Sequence, residues 1–192
     1  MSEKILHAFI KDYIEPDKSK QEIRIGNFIA DIVTDSSITE IQTRDFNKLR
    51  KRLEFFLNTH TVTLVYPIPR YKWLCWINPE TNEMTKKRKS PRTGRIYDAI
   101  GEIYKIKQFL NHQNFRLCLI FIDIEEYRHL DGWSNDKKKG STRHDRIPVK
   151  IIEEINIDNI NAYSIFIPDS LGALDKSFSP NFKACVDSST VA

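Results

Sequence analysis

The sequence predicts an α/β fold built on a central sheet that contains both parallel and antiparallel strands. Two short apolar segments, residues 28–34 and 38–43, are joined by a polar turn, which predicts an antiparallel hairpin. A segment with helical spacing follows, and the near-continuous apolar run at residues 61–68 predicts a strand buried on both faces. Because a strand, a helix and a strand in succession form a parallel pair, the predicted sheet is mixed. A second apolar run, residues 115–124, predicts another central strand.

The remaining segments show either helical or strand periodicity. Apolar side chains recur at helical spacing in residues 3–14, and Pro16 ends this helix. Residues 22–25 alternate as a first strand would, and helical spacing returns after the hairpin up to Leu57. The elements expected further along are a strand at residues 73–77, a helix at 97–110, and a strand or short helix at 147–157.

Two carboxylates interrupt the apolar strands of the predicted hairpin. With a four-residue loop at residues 34–37, Asp31 lies directly opposite Glu40, and the two side chains share one face with Gln42. Facing carboxylates in apolar surroundings repel each other and lose hydration. A divalent cation between them removes both penalties, and hard oxygen ligands suit Mg²⁺. The hairpin therefore predicts a metal site.

The pattern D-x8-E-x-Q resembles the PD-(D/E)XK nuclease superfamily, in which Lys usually stands where this chain has Gln42. Four segments are also similar to a family of uncharacterised bacterial proteins assigned to that superfamily. They are E-K-I-L-H at residues 3–7, E-I-Q-T-R at 40–44, L-V-Y-P-I at 64–68 and K-R-K-S-P at 87–91. The resemblance covers residues 3 to about 182. It implies a three-layer αβα core of the restriction-endonuclease type.

The resemblance implies a metal-dependent endonuclease that hydrolyses phosphodiester bonds in double-stranded DNA. Mg²⁺ or Mn²⁺ would be held by Asp31, Glu40, the carbonyl group of Ile41 and the upstream carboxylate of Glu3. Gln42 can orient a water molecule but carries no charge, so Lys48 of the following helix is a candidate for the missing cation. A purely structural role for Gln42 or for Glu3 is an equal alternative. A nucleic-acid-binding protein without turnover is the alternative function.

Basic residues predict the path of the nucleic acid. Six cations lie between residues 86 and 95, and the loop that carries them is expected either to contact phosphates or to be a solvated loop. Arg44 lies beside the predicted site, on a helix face with Lys48 and Lys51. The candidate phosphate contacts are Arg44, Lys86, Lys87, Arg88, Lys89, Arg92 and Arg95.

Composition predicts one nuclease-like core, residues 1–128, followed by a polar and basic extension at residues 129–192 that forms a small irregular appendage. No apolar run approaches the roughly 20 residues of a membrane span, no signal segment is evident, and the three cysteines are expected as free thiols in the cytoplasm. In the family that this chain resembles, a segment like residues 167–182 leads into a winged-helix module. The chain ends at Ala192, so either the module is absent or the sequence is truncated. A homodimer is left open.

Overall fold

The protein has a mixed α/β fold with a central mixed sheet flanked by helices, which confirms the predicted fold class. The computed structural model describes residues 5–131 and 142–167. Within them the sheet has seven strands in the order β1-β2-β3-β4-β6-β7, and β5 pairs with β4 outside this path. The strands are β1 Gln21–Ile25, β2 Phe28–Val33, β3 Ser37–Ile41, β4 Thr61–Ile77, β5 Arg88–Lys89, β6 Phe115–His129 and β7 Arg143–Ile157. The β3–β4 and β4–β6 pairs are parallel, and the other pairs are antiparallel.

The helices are shorter than the sequence periodicity predicts. The helix α1 spans Ile5–Ile14, α2 spans Arg50–Phe56 and α3 spans Ile100–Ile103. A 3-10 turn, Phe46–Leu49, precedes α2 because the chain enters it through Asp45, whose φ is +59°. The helix expected at residues 97–110 is divided by 3-10 turns on both sides of α3. Among the described residues, no helix is long and apolar enough to cross a membrane.

Two hydrophobic cores lie on opposite faces of the sheet. Alternate side chains of β4 and β6 enter each core, since successive residues of a strand point to opposite faces. On one face Leu64 packs in a cluster with Leu53 of α2, which we call the α2-side core. On the other face Val65 packs in a cluster with Leu6 and Ile10 of α1, the α1-side core. Burial on both faces explains the near-continuous apolar runs in these strands.

The strand β4 continues through two prolines. The sequence predicts two strands at residues 61–68 and 73–77, but one strand of 17 residues spans both, with an irregularity between Pro69 and Lys72. Pro67 and Pro69 lie beyond Val65, the last residue of β4 that pairs with β3, so neither removes a hydrogen bond from that ladder. Gly94 approaches this stretch so closely that a Cβ atom there would lie 2.1 Å from the carbonyl oxygen of Pro69.

The strand β7 belongs to the same sheet as the predicted core. It pairs with β6 from Leu117↔Ile157 to Arg128↔Arg143, so the predicted division at residue 129 falls at the end of a sheet strand. Residues 147–157 are therefore a strand rather than a short helix. Most side chains of β7 are exposed or half-buried, as on an edge strand, which weakens its apolar periodicity. After Ile167, the segment compared with a winged-helix module lies outside the described residues.

Candidate functional site

The hairpin of β2 and β3 has the predicted register. Ile32 pairs with Thr39 and Val33 with Ile38, so the next opposite residues are Asp31 and Glu40. The loop is closed by the N–H group of Thr34, which donates to the carbonyl oxygen of Ser37 at 2.9 Å. The backbone nitrogen of Asp31 lies 3.4 Å from Oε1 of Glu40. The turn and the apolar alternation were therefore sufficient to predict this pairing.

The carboxylate of Asp31 is directed to the end of β3 and to α1. Its Oδ2 atom accepts a hydrogen bond of 2.7 Å from the backbone N–H of Ile41. The same atom lies 3.2 Å from Nε2 of His7, and this nitrogen also lies 3.0 Å from the carbonyl oxygen of Ile41. Because both oxygens are acceptors, Nε2 of His7 carries the hydrogen. Two of the predicted metal ligands therefore converge on one point.

The carboxylate of Glu40 is fully buried and faces α2. Its Oε2 atom forms an ion pair with the guanidinium group of Arg52. Burial raises the pKa of Glu40 to about 7, nearby Asp31 contributes to the rise, and Arg52 opposes it. Leu49, Arg52, Leu53 and Phe56 share the helical spacing of a buried stripe. A cation in this stripe was the signal that could have identified Arg52 from the sequence.

The two carboxylates have partners on opposite faces of the sheet, which differs from the common face that the hairpin predicted. The alternation of β2 breaks at Asp31, because Ala30 packs in the α2-side core whereas Ile32 packs in the α1-side core. Glu22, which lies opposite Asp31 between the paired residues of β1 and β2, has a φ of +54°. The buried ammonium group of Lys11 holds the Glu22 carboxylate at 2.7 Å.

Gln42 and Lys48 have other partners than the two carboxylates. The side-chain amide of Gln42 donates to the carbonyl oxygen of Arg44 in the loop that follows β3. Lys48 lies 3.2 Å from Asp45 and its side chain is 75% exposed. The interpretation of Lys48 as the missing cation is not realised, because the 3-10 turn directs Lys48 to solvent and Arg52 is the cation at Glu40. Glu3 lies outside the described residues.

The donor atoms present have the chemistry that Mg²⁺ requires. Within the described residues, no three His, Cys, Asp or Glu side chains form a group that could hold a metal ion. However, Oδ2 of Asp31 and the carbonyl oxygen of Ile41 are hard ligands directed to one point. Mg²⁺ commonly binds through one or two carboxylates and keeps several water molecules. The N–H group of His7 presents positive charge to both oxygens, as a cation there would.

The predicted phosphate-contacting cations all lie on the surface, but several already have partners. Lys87 forms an ion pair of 2.7 Å with Glu125, and Arg92 forms one of 2.9 Å with Asp98. The ammonium group of Lys89 lies 3.8 Å from the ring centre of Tyr71. Arg88 and Lys89 form β5, so part of the expected loop is a short strand fixed to β4. The other exposed members of the set are Lys86, Arg95 and Arg44.

Comparisons with known proteins show the family of the chain. A family described as a domain of unknown function, DUF8091, matches residues 4–158, from α1 to β7. A protein of Treponema pallidum (strain Nichols), described as "Uncharacterized protein", is 31% identical over 140 residues, which are 72% of this chain and 53% of that protein. The chain thus spans about half the length of this relative. No solved structure matches. The protein belongs to the family of the domain of unknown function DUF8091.

Proposed function

We propose that the protein is a metal-dependent endonuclease that hydrolyses phosphodiester bonds in DNA, with Mg²⁺ or Mn²⁺ as the metal ion. The observation that carries the proposal is the convergence of Asp31 Oδ2 and the Ile41 carbonyl oxygen at the carboxyl end of β3. The buried carboxylate of Glu40 adjoins this point, because its Oε1 atom lies 3.4 Å from the backbone nitrogen of Asp31. The resemblance of the D-x8-E-x-Q pattern to PD-(D/E)XK nucleases supports the same reaction class.

In this proposal Asp31 and the carbonyl group of Ile41 hold the metal ion, and Glu40 completes the site from the neighbouring strand position. When bound, the ion would lower the pKa of a water molecule and offset negative charge on the phosphate. With a pKa of about 7, Glu40 exchanges its proton near neutral pH, so deprotonation of Glu40 and loading of the site are linked. Gln42 would orient water once its amide leaves the carbonyl oxygen of Arg44.

The second candidate function is nucleic-acid binding without hydrolysis. Specific observations favour it: Arg52 already neutralises Glu40, and the side chain of Gln42 is directed away from Asp31 toward the loop that follows β3. In such a protein the hairpin carboxylates would stabilise the fold, while the exposed cations would still contact phosphates.

Incubation of the protein with supercoiled plasmid DNA, in Mg²⁺, in Mn²⁺ and in EDTA, tests the proposal. We expect metal-dependent nicking by the parent protein and its loss in Asp31→Asn and Glu40→Gln, with circular dichroism confirming that both variants fold. Asp35→Asn is the matched control, because this exposed carboxylate lies in the turn of the same hairpin. DNA binding without nicking by the parent would favour the second function. Equal nicking by the parent and by both site variants would contradict the first.

A further inference from the structure

A buried carboxylate organises three arginines at the distal end of β6 and β7. Glu126 is fully buried, and its Oε1 atom accepts a hydrogen bond of 2.7 Å from Nε of Arg128. Its Oε2 atom lies 3.0 Å from Nε of Arg146 and 3.5 Å from Nε of Arg143. We call these four residues the arginine cluster. The cluster was not anticipated from the sequence, since its members come from two strands without a shared periodicity.

The arginine cluster carries surplus positive charge. Burial opposes ionisation of Glu126, but the three arginines outweigh burial and lower the pKa of this carboxyl, so it is ionised at neutral pH. One negative charge then faces three guanidinium groups. The arginine side chains are 29%, 39% and 21% exposed for Arg128, Arg143 and Arg146, so each remains accessible to a ligand. A second anion would therefore be attracted to the open side of the cluster.

Two neighbouring pockets lie beside the cluster and share Thr43 and Arg146. Arg44 and Arg143 add positive charge to the first pocket, which Asp145 partly offsets. Lys72 and Arg92 add positive charge to the second pocket, a cavity of about 210 Å³ in which Asp98 is the offsetting carboxylate. Each pocket therefore has three cations and one carboxylate.

The two pockets adjoin the candidate metal site. Leu6, which lines the first pocket, precedes His7, and Thr43, which lines both pockets, follows Gln42. A strand lying across the pockets would therefore pass the point on which Asp31 and the Ile41 carbonyl oxygen converge.

We propose that the two pockets bind successive phosphate groups of one nucleic-acid strand, and that Glu126 holds the guanidinium groups in position for them. Planar guanidinium groups bind phosphate oxygens in a bidentate manner, and Glu126 reduces the entropy lost when they do so. Two adjoining pockets that share Arg146 suit a polyanion better than a single small phosphate. This assignment deepens the proposed function, on which its choice of nucleic acid rests, by naming where the backbone of the substrate lies.

The test is equilibrium binding of a fluorescent DNA duplex in EDTA over a range of salt concentrations. We expect the double variant Arg143→Gln/Arg146→Gln to bind about tenfold more weakly, with the log–log salt slope reduced by about 0.9 for each lost contact. The matched control is Arg24→Gln/Arg116→Gln, which removes two charges, one from β1 and one from the opposite end of β6. This control should bind as the parent does.

A second variant, Lys72→Gln/Arg92→Gln, keeps the proposal falsifiable if loss of the cluster arginines impairs folding, which thermal unfolding would reveal. It should also weaken duplex binding and flatten the salt slope. Competition by inorganic phosphate and by a 5′-phosphorylated dinucleotide distinguishes the sources of the phosphate. If these compete while both double variants bind duplex like the parent, the pockets bind free or terminal phosphate and the strand assignment is overturned.

The outcomes separate this inference from the proposed activity. Loss of binding in the double variants, with no cleavage by the parent in Mg²⁺ or Mn²⁺, would support the pockets and contradict the endonuclease. Metal-dependent cleavage by the parent, with unchanged binding and cleavage in both double variants, would do the reverse. Absence of duplex binding by the parent would overturn the inference directly.

Discussion

His7 of α1 places its Nε2 atom 3.0 Å from the carbonyl oxygen of Ile41, the last residue of β3. The same atom lies 3.2 Å from Oδ2 of Asp31, so one N–H group serves two oxygens. The imidazole thereby connects α1 to the hairpin at the point where the proposed metal ion would bind. A hydrogen-bond donor and a hard cation compete for the same two oxygens, since each offers them positive charge.

The variant His7→Ala should raise the affinity for Mg²⁺ and Mn²⁺ by several-fold, because it removes the competing N–H group while keeping the oxygens of Asp31 and Ile41. Isothermal titration of the protein with each metal at pH 8 measures this change. His60→Ala, a substitution in the turn before β4, is the control and should bind metal like the parent. A lower affinity in His7→Ala would show that the imidazole positions or ligates the metal instead.

The variant Glu40→Gln should alter how stability depends on pH. The pKa of Glu40 is about 7 in the folded protein against an ordinary value of 4.5, so the folded state retains a proton that the unfolded state has lost. The resulting stabilisation is complete below pH 4.5 and disappears as the pH rises through 7, by up to about 3 kcal/mol. Gln is neutral throughout, so this decline should be absent in the variant.

Urea unfolding of the parent and of Glu40→Gln between pH 4.5 and 8 measures that difference. The exposed Glu54 of α2 supplies the control Glu54→Gln, which should follow the parent curve. Parallel curves for the parent and Glu40→Gln would mean that Arg52 keeps Glu40 ionised at all these pH values, contrary to the effect of burial.

The variant Arg52→Met should destabilise the protein more at pH 8 than at pH 5. At pH 8 it leaves a buried and ionised Glu40 without its cation, at a cost of about 2 kcal/mol or more in the free energy of unfolding. At pH 5 Glu40 is protonated, so the loss should be smaller. Lys51→Met, at the neighbouring exposed position, should show no such dependence on pH. An equal loss at both pH values would instead reflect packing.

Neutralising Lys86, Lys87, Arg88 and Lys89 to Gln separates phosphate contact from metal binding. If these cations touch phosphates, the salt slope of duplex binding should fall by about 0.9 per contact, and affinity should fall for all DNA sequences alike. The total should be less than four contacts, because Glu125 already neutralises Lys87. Metal affinity should stay at the parent value. An unchanged slope would make this segment a solvated surface and leave the pockets beside the arginine cluster as the path of the backbone.

The sequence by itself determined the features that depend on neighbours along the chain. Alternating apolar residues and a four-residue turn were enough to predict that Asp31 lies opposite Glu40, because register follows from side-chain period and loop length. The two apolar runs predicted the central parallel strands for a similar reason, since burial on both faces demands apolar residues at every position.

Only the tertiary structure decided which partners these carboxylates have. The break in alternation at Asp31 accompanies the positive φ of Glu22 and the buried contact of Glu22 with Lys11, which depend on how α1 docks. His7 and Arg52 reach the hairpin from helices on opposite faces. The orientation of each helix is set by the packing of a whole core, and a shift of about one residue, or 100°, would turn either side chain away. Such contacts are properties of the docked layers and leave no periodic signal in the chain.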